Sequence, residues 1–105
     1  MINKKYELTE ETKIVNGHTL HRIRALRSFG AVENGQLGGW IEKENNLSHD
    51  GLCWVCGDAR VVGDARVYGD ARVFDAALVY GNAQVYGNAL VYGNARVVGD
   101  ALVDG

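Results

Sequence analysis

Valine stands at positions 55, 61, 67, 73, 79, 85, 91, 97 and 103, and alanine at 59, 65, 71, 77, 83, 89, 95 and 101. That beat of six residues runs through nine consecutive units without a slip, and few folds can accommodate it. Within a unit the order is Ala-x-Val, so both side chains point to one side of an extended chain and the residue between them to the other. Most units then carry Gly followed by Asp or Asn, turn formers that tolerate positive φ. Each unit therefore reads as one very short strand and one corner. A helix fails, because a period of six does not match about 3.6 and a Val- and Gly-rich unit is poor in helix formers. Hairpins fail because such short strands, paired two at a time, bury almost nothing. A solenoid works. Three units close a triangular coil of 18 residues, and stacked coils pair each backbone group with the coil above or below. Small Ala and Val suit its narrow interior.

Charge offers a check on the coil length. At a spacing of 18, residues stack about 4.8 Å apart, where like charges repel. Arg60 then meets Leu78, which meets Arg96; Arg66 meets Gln84; Arg72 lies between Trp54 and Leu90. Asp64 meets Asn82, which meets Asp100. No two arginines and no two aspartates become nearest neighbours, whereas at a spacing of 6 or 12 Arg60, Arg66 and Arg72 would collide.

The hexads VYGNAQ, VYGNAL and VYGNAR resemble the hexapeptide repeat of left-handed parallel β-helix proteins, over residues 55 to 103. The resemblance implies an all-β, left-handed parallel β-helix of about three 18-residue coils; the hand comes from the resemblance, since parallel crossovers are otherwise right-handed. "GQLGGWIEKENNLSHDGLCWV", residues 35 to 55, is similar to a segment that precedes the repeats in uncharacterised bacterial and phage hexapeptide-repeat proteins.

Residues 1–46 leave the six-residue beat and are expected to form an N-terminal β-hairpin cap, with 47–105 as the β-helix. Asn16-Gly17 between apolar-rich flanks signals a two-residue hairpin, with strands near 13–16 and 18–26. The bland role of this portion is a lid on the first coil; a sharper one is partner recognition.

Chemistry is sparse. Cys53-Trp54-Val55-Cys56 is a CxxC, but on a strand its sulfurs face opposite ways, Cys53 inward and Cys56 outward, and no second CxxC completes a zinc site. The histidines, His18, His21 and His49, all lie outside the hexads. Enzymes of the resembled family use coil or loop histidines for acyl transfer or for zinc, and often a long inserted loop that these hexads lack. His49 beside Asp50 is the one pair with the look of a base and its orienter, and a hydrated turn, SHDG, accounts for it better. No catalytic residue, metal or cofactor is expected. Every threonine lies before residue 20, which excludes the flat threonine arrays of ice binding. Lys plus Arg total 11 against 13 Asp plus Glu, so charge points to neither nucleic acid nor an anionic membrane, and the four arginines of the hexads leave too little net charge for a DNA mimic. MINKKYELTEETK has no apolar run of a signal peptide, and the cytoplasm is the expected compartment.

The outside of the coils carries the functional expectation. Phe74 and Tyr92 fall in one column beside Trp54, Arg72 and Leu90; Tyr68 and Tyr86 form another; Tyr80 stands between Val62 and Val98. Aromatics interleaved with Arg and aliphatics are the composition of protein interfaces, although Tyr also simply suits half-exposed strands. The expected function is a non-catalytic protein-binding module that self-associates, a dimer being simplest, and holds an unidentified partner. The phage resemblance suggests an inhibitor of a bacterial defence system, anti-CRISPR-like, acting by occlusion. The alternatives are a scaffold assembling end to end through bare strand edges near Val91, Val97 and Val103, and an acyltransferase-like enzyme.

Overall fold

A computed structural model describes residues 4–105. The first two strands, β1 (Tyr6–Val15) and β2 (His18–Ala25), form an antiparallel hairpin whose turn is Asn16-Gly17, with φ of 51° and 82°. Positive φ at both turn residues matches the twist of the flanking strands, so the dipeptide fixes the turn as its sequence implies. β3 (Leu37–Ile41) pairs antiparallel with β2 on one edge and parallel with β5 (Arg60–Val61) on the other. A single 3-10 turn, Glu44–Asn46, follows β3. The remaining strands are β4 (Trp54–Val55), β6 (Arg66–Val67), β7 (Arg72–Val73), β8 (Leu78–Val79), β9 (Gln84–Tyr86), β10 (Leu90–Val91), β11 (Arg96–Val97) and β12 (Leu102–Asp104).

These strands make the three faces of a parallel β-solenoid. One face is β3-β5-β8-β11, extended by the hairpin into the sheet β1-β2-β3-β5-β8-β11; the others are β4-β7-β10 and β6-β9-β12. Arg60 pairs with Leu78 and Leu78 with Arg96; Trp54 pairs with Arg72 and Arg72 with Leu90, which is the 18-residue register inferred from charge.

Two expectations change. Four strands stack on the first face, so the solenoid makes about four turns rather than three. Its first coil opens at β3, where Trp40 pairs with Arg60 and Leu47 bridges Val67, so a boundary between residues 46 and 47 falls inside that coil. The first coil is hidden from the six-residue beat because these two pairs span 20 residues, and the beat emerges only at Val55. Two glycines let this coil pack. A Cβ on Gly38 would lie 2.6 Å from the Val55 carbonyl oxygen, and one on Gly39 2.8 Å from that of Ala59.

The interior is the Ala and Val ladder. Val55, Val61, Val67, Val73, Val79 and Val85 are fully buried, as are Ala59, Ala65, Ala71, Ala77 and Ala83. Burying each valine contributes about 1.5–3 kcal/mol relative to leaving it in water. Tyr6, Ile23, Ala25 and Ile41 join the same core and close its hairpin end. Among the described residues two polar side chains are also fully buried. Asn46 places its amide nitrogen 3.0 Å from the Gly63 carbonyl and 2.9 Å from that of Ala65, while its Oδ1 accepts from Glu42 N (3.0 Å) and Lys43 N (2.8 Å). Lys5 donates from Nζ to the carbonyls of Cys53 (2.7 Å) and Gly51 (3.3 Å) and to Cys53 Sγ (3.3 Å). A buried polar group is tolerable only when its bonds are made, and these are.

Candidate binding faces and grooves

The outward residue that follows each valine stacks from coil to coil. On the β4-β7-β10 face the rings of Phe74 and Tyr92 lie 5.2 Å apart and 9° from parallel. On the β6-β9-β12 face Tyr68 and Tyr86 lie 5.2 Å apart and 6° from parallel, with the Tyr68 hydroxyl donating to Gln84 Oε1 at 2.9 Å. The coil rise sets this spacing, which suits stacked aromatic pairs. Leu90 is 52 % exposed and Tyr92 57 %, both on the first of these faces. Among the described residues Arg60, Arg66, Arg72 and Arg96 make no ion pair. Arg72, Phe74, Leu90 and Tyr92 are thus brought together, Tyr68 and Tyr86 are together one face away, and Tyr80 stands on the third.

Trp54 does not belong with them. It is only 3 % exposed, because the loop after β2 folds over it: Phe29 meets its ring edge-on at 5.3 Å, and Tyr6 approaches from the core side at 6.4 Å. Its strand pairs it with Arg72, as the 18-residue spacing implies, but the spacing carries no sign of the loop that covers it.

The cysteines face opposite ways. Cys53 is buried against Lys5, Cys56 is half-buried, and both thiols are free. Burial pushes both thiols up from their usual range. Burial also pushes the Lys5 amine down, against the pull of Cys53. Raised thiol pKa and burial make inert cysteines. No group of three potential ligands that could hold a metal occurs among the described residues.

His49 is not held by Asp50. Its Nδ1 accepts from Lys5 N at 3.1 Å, its Nε2 lies 3.3 Å from Glu44 Oε2, and its ring stacks on Tyr6 at 4.2 Å. An acceptor Nδ1 leaves the proton on Nε2, turned to Glu44, so no lone pair is free to act as a base. The pairing that resembles a base and its orienter is His18 Nδ1 with Glu42 Oε2, 2.9 Å apart. Glu42 in turn accepts from Gly63 N at 2.7 Å, and both bonds hold its carboxyl below the usual range. His18 stands at the mouth of a groove of about 680 Å³ between the hairpin tip and the first face, with Arg60, Tyr80, Asn82 and Arg96. Sequence reasoning missed this pair because 24 residues separate its members and only the pairing of hairpin and coil joins them.

A second groove, of about 460 Å³, opens between the 3-10 turn and the β6-β9-β12 face, with Glu44, His49, Arg66, Tyr68 and Gln84 on its walls. Hydrogen bonds from Lys4 (3.0 Å) and then His49 hold the Glu44 carboxyl below its usual range.

An all-β chain of stacked parallel coils with an alternating Ala and Val interior has the fold of a β-solenoid repeat protein. The repeats of this chain match those described as the YdcK Beta solenoid repeat over residues 65–81, 83–94 and 91–105. Over 60 residues, 50% of this chain, it is 33% identical to the uncharacterized acetyltransferase YdcK of Escherichia coli (strain K12). The matched stretch spans 18% of that protein's length. No described helix is long and apolar enough to cross a membrane.

Proposed function

We propose that this chain is a non-catalytic protein-binding module that self-associates through the outer faces of its coils and acts by occluding a partner. One observation carries the reading: the Phe74–Tyr92 stack, with Leu90 and Tyr92 more than half exposed beside Arg72, which has no ion pair among the described residues. Aromatics and arginine in one patch are what interface centres are made of, and monomers seldom leave such patches bare. The narrower form, an inhibitor of a bacterial defence system, is supported by the likeness of residues 35–55 to phage-associated sequences. The test is native mass spectrometry of the Phe74→Asp/Tyr92→Asp variant together with far-ultraviolet circular dichroism. Loss of the oligomer with an unchanged β spectrum supports the reading; an unchanged oligomeric mass, or a monomeric parent, refutes self-association.

A second reading, acyl transfer, draws on the name of the relative, an uncharacterized acetyltransferase, and on the His18–Glu42 pair, whose geometry leaves Nε2 of His18 free to take a proton. Acetyl-coenzyme A turnover by the parent, abolished in His18→Ala, would replace the first reading with this one.

A further inference from the structure

Columns of outward residues run along the solenoid, and each can be followed rung by rung. On the β6-β9-β12 face, Asp104 pairs with Tyr86, and Tyr68 N donates to the Val85 carbonyl as Ser48 N does to that of Val67. The column is therefore Ser48, Tyr68, Tyr86 and Asp104. Two rungs hold stacked rings; the rung on the other side of Tyr68 holds only a serine hydroxymethyl group. The corresponding rung on the β4-β7-β10 face is Cys56, but there the loop carrying Phe29 and Val32 packs in and leaves only about 170 Å³. Next to Ser48 no loop among the described residues packs in, and the groove of about 460 Å³ opens at that place. Because one face of the Tyr68 ring is stacked on Tyr86, its other face is turned toward Ser48 and the groove.

The rim of the vacant rung is charged in both senses. Arg66 makes no ion pair among the described residues, and Glu44 presents a carboxylate from the opposite wall. Glu44 already accepts from Lys4 and His49, yet a carboxylate has about four acceptor sites and two remain. Gln84 uses its Oε1 on Tyr68, which leaves its amide N–H groups as donors into the groove. The volume lies within the roughly 300–1,000 Å³ of small-molecule sites.

We propose that this vacant rung binds a free aromatic α-amino acid, its ring continuing the stack on Tyr68, its carboxylate meeting Arg66 and its ammonium meeting Glu44. Such a ligand supplies the missing ring at the spacing that the coil already imposes, and one positive and one negative group for the two rim charges. A guanidinium recognises a carboxylate through paired N–H donors, which gives Arg66 the partner it lacks among the described residues, while the ammonium takes acceptor sites that Lys4 and His49 leave open on Glu44. The site lies on a different face from the Phe74–Tyr92 patch, so it stands or falls independently of self-association.

Isothermal titration of the intact chain with L-tryptophan, L-tyrosine and L-phenylalanine tests it, with tryptamine, indole-3-propionate and adenosine monophosphate as comparison probes. Expected is saturable one-to-one binding of at least one of the amino acids. Tryptamine, lacking the carboxylate, and indole-3-propionate, lacking the ammonium, should each bind about fivefold or more weaker than tryptophan. Tyr68→Leu should weaken binding about tenfold, as loss of an aromatic stacking partner does, while Tyr68→Phe, which keeps the ring, should retain it. Arg66→Gln should erase the difference between tryptophan and tryptamine, a readout that does not depend on the fold tolerating a change at Tyr68. Failure of all three amino acids to saturate, equal affinity for tryptophan and its two truncated analogues, or tighter binding of adenosine monophosphate overturns the proposal.

Discussion

Asp75 breaks the corner rule of the hexads, and the break shows what the rule is for. Corner glycines at 57, 63, 69, 81, 87, 93 and 99 all have positive φ, and Asp75 occupies the same place at φ 60°. An L-residue in that region carries a cost of about 1–2 kcal/mol, which Asp and Asn bear better than others. Asp75 gains something in return, since its Oδ2 accepts from Gly93 N on the next coil at 3.1 Å. Asp75→Gly should therefore change the urea midpoint little, whereas Asp75→Ala, keeping the Cβ and losing the acceptor, should cost about 1 kcal/mol. Ionisable side chains give a second prediction at this scale. Cys53, Cys56 and Tyr6 are all pushed up by burial, so above about pH 8.5 the unfolded chain releases protons that the folded chain keeps, and stability falls as pH rises. Lys5 is pushed down, so between its folded pKa and the usual lysine value the unfolded chain holds more protons and stability rises with pH. The two trends oppose each other, and Lys5→Met should lose stability more steeply than the parent does as pH approaches the usual lysine value from below. Equal slopes in urea titrations across that window would contradict the assignment of Lys5. On the acid side Glu42 and Glu44 are held low by their hydrogen bonds, and what they contribute is lost as pH drops through the carboxylate range.

Strands and corners were legible wherever one residue sees the same neighbours six positions on. The Ala and Val beat told inside from outside, the charges told the coil length, and Asn16-Gly17 told the hairpin turn. What was not legible has a common physical cause: contacts made by segments with no repeat. The loop over Trp54, the extra residues of the first coil, the His18–Glu42 pair and the empty rung beside Tyr68 all arise where irregular chain meets the regular ladder. The two adjoining glycines of β3 carried a usable signal, since Gly-Gly inside an apolar strand points to close backbone approach. At the level of elements, Gly39→Ala should be among the costly single-methyl additions, about 1–3 kcal/mol, because its Cβ would meet both the Ala59 carbonyl and Val55 Cγ1 at 2.8 Å. Val79→Asp should unfold the chain altogether, since a carboxylate among fully buried Val and Ala side chains has no partner. A melting temperature within a few degrees of the parent for either variant would mean that the packing drawn for β3 or β8 is wrong.

Burial fades along the whole molecule. Val55 through Val85 are fully buried, Val91 is 4 % exposed and Val97 8 %, and Ala95 and Ala101 are exposed altogether. Among the described residues β10, β11 and β12 are hydrogen-bonded along one edge only, while β5 to β9 are bonded along both. In a solenoid each coil leans mainly on its neighbours, so opening should proceed inward from that edge. Amide exchange in dilute solution should be slowest at Val61, Val67 and Val73, and fastest among the coils at residues 97 to 103; protection of that last stretch on concentration would favour assembly through the edge. A ladder of near-identical rungs also has an addressing problem. Nothing in Val-Tyr-Gly-Asn says which coil a strand is meant to join, and a misalignment by a whole coil would keep Val on Val and Gly on Gly. The buried amide of Asn46 docks the first coil on the second, its N–H groups on the carbonyls of Gly63 and Ala65 while its oxygen closes the turn behind it. Shifted by one coil, the same amide would face the equivalent carbonyls of Gly81 and Ala83, but Lys43, whose Nζ lies 2.7 Å from Asp64 Oδ1, would meet the uncharged Asn82 instead. The irregular start of the chain thus carries a mark of the frame, the Lys43–Asp64 pair, that the monotonous remainder does not repeat.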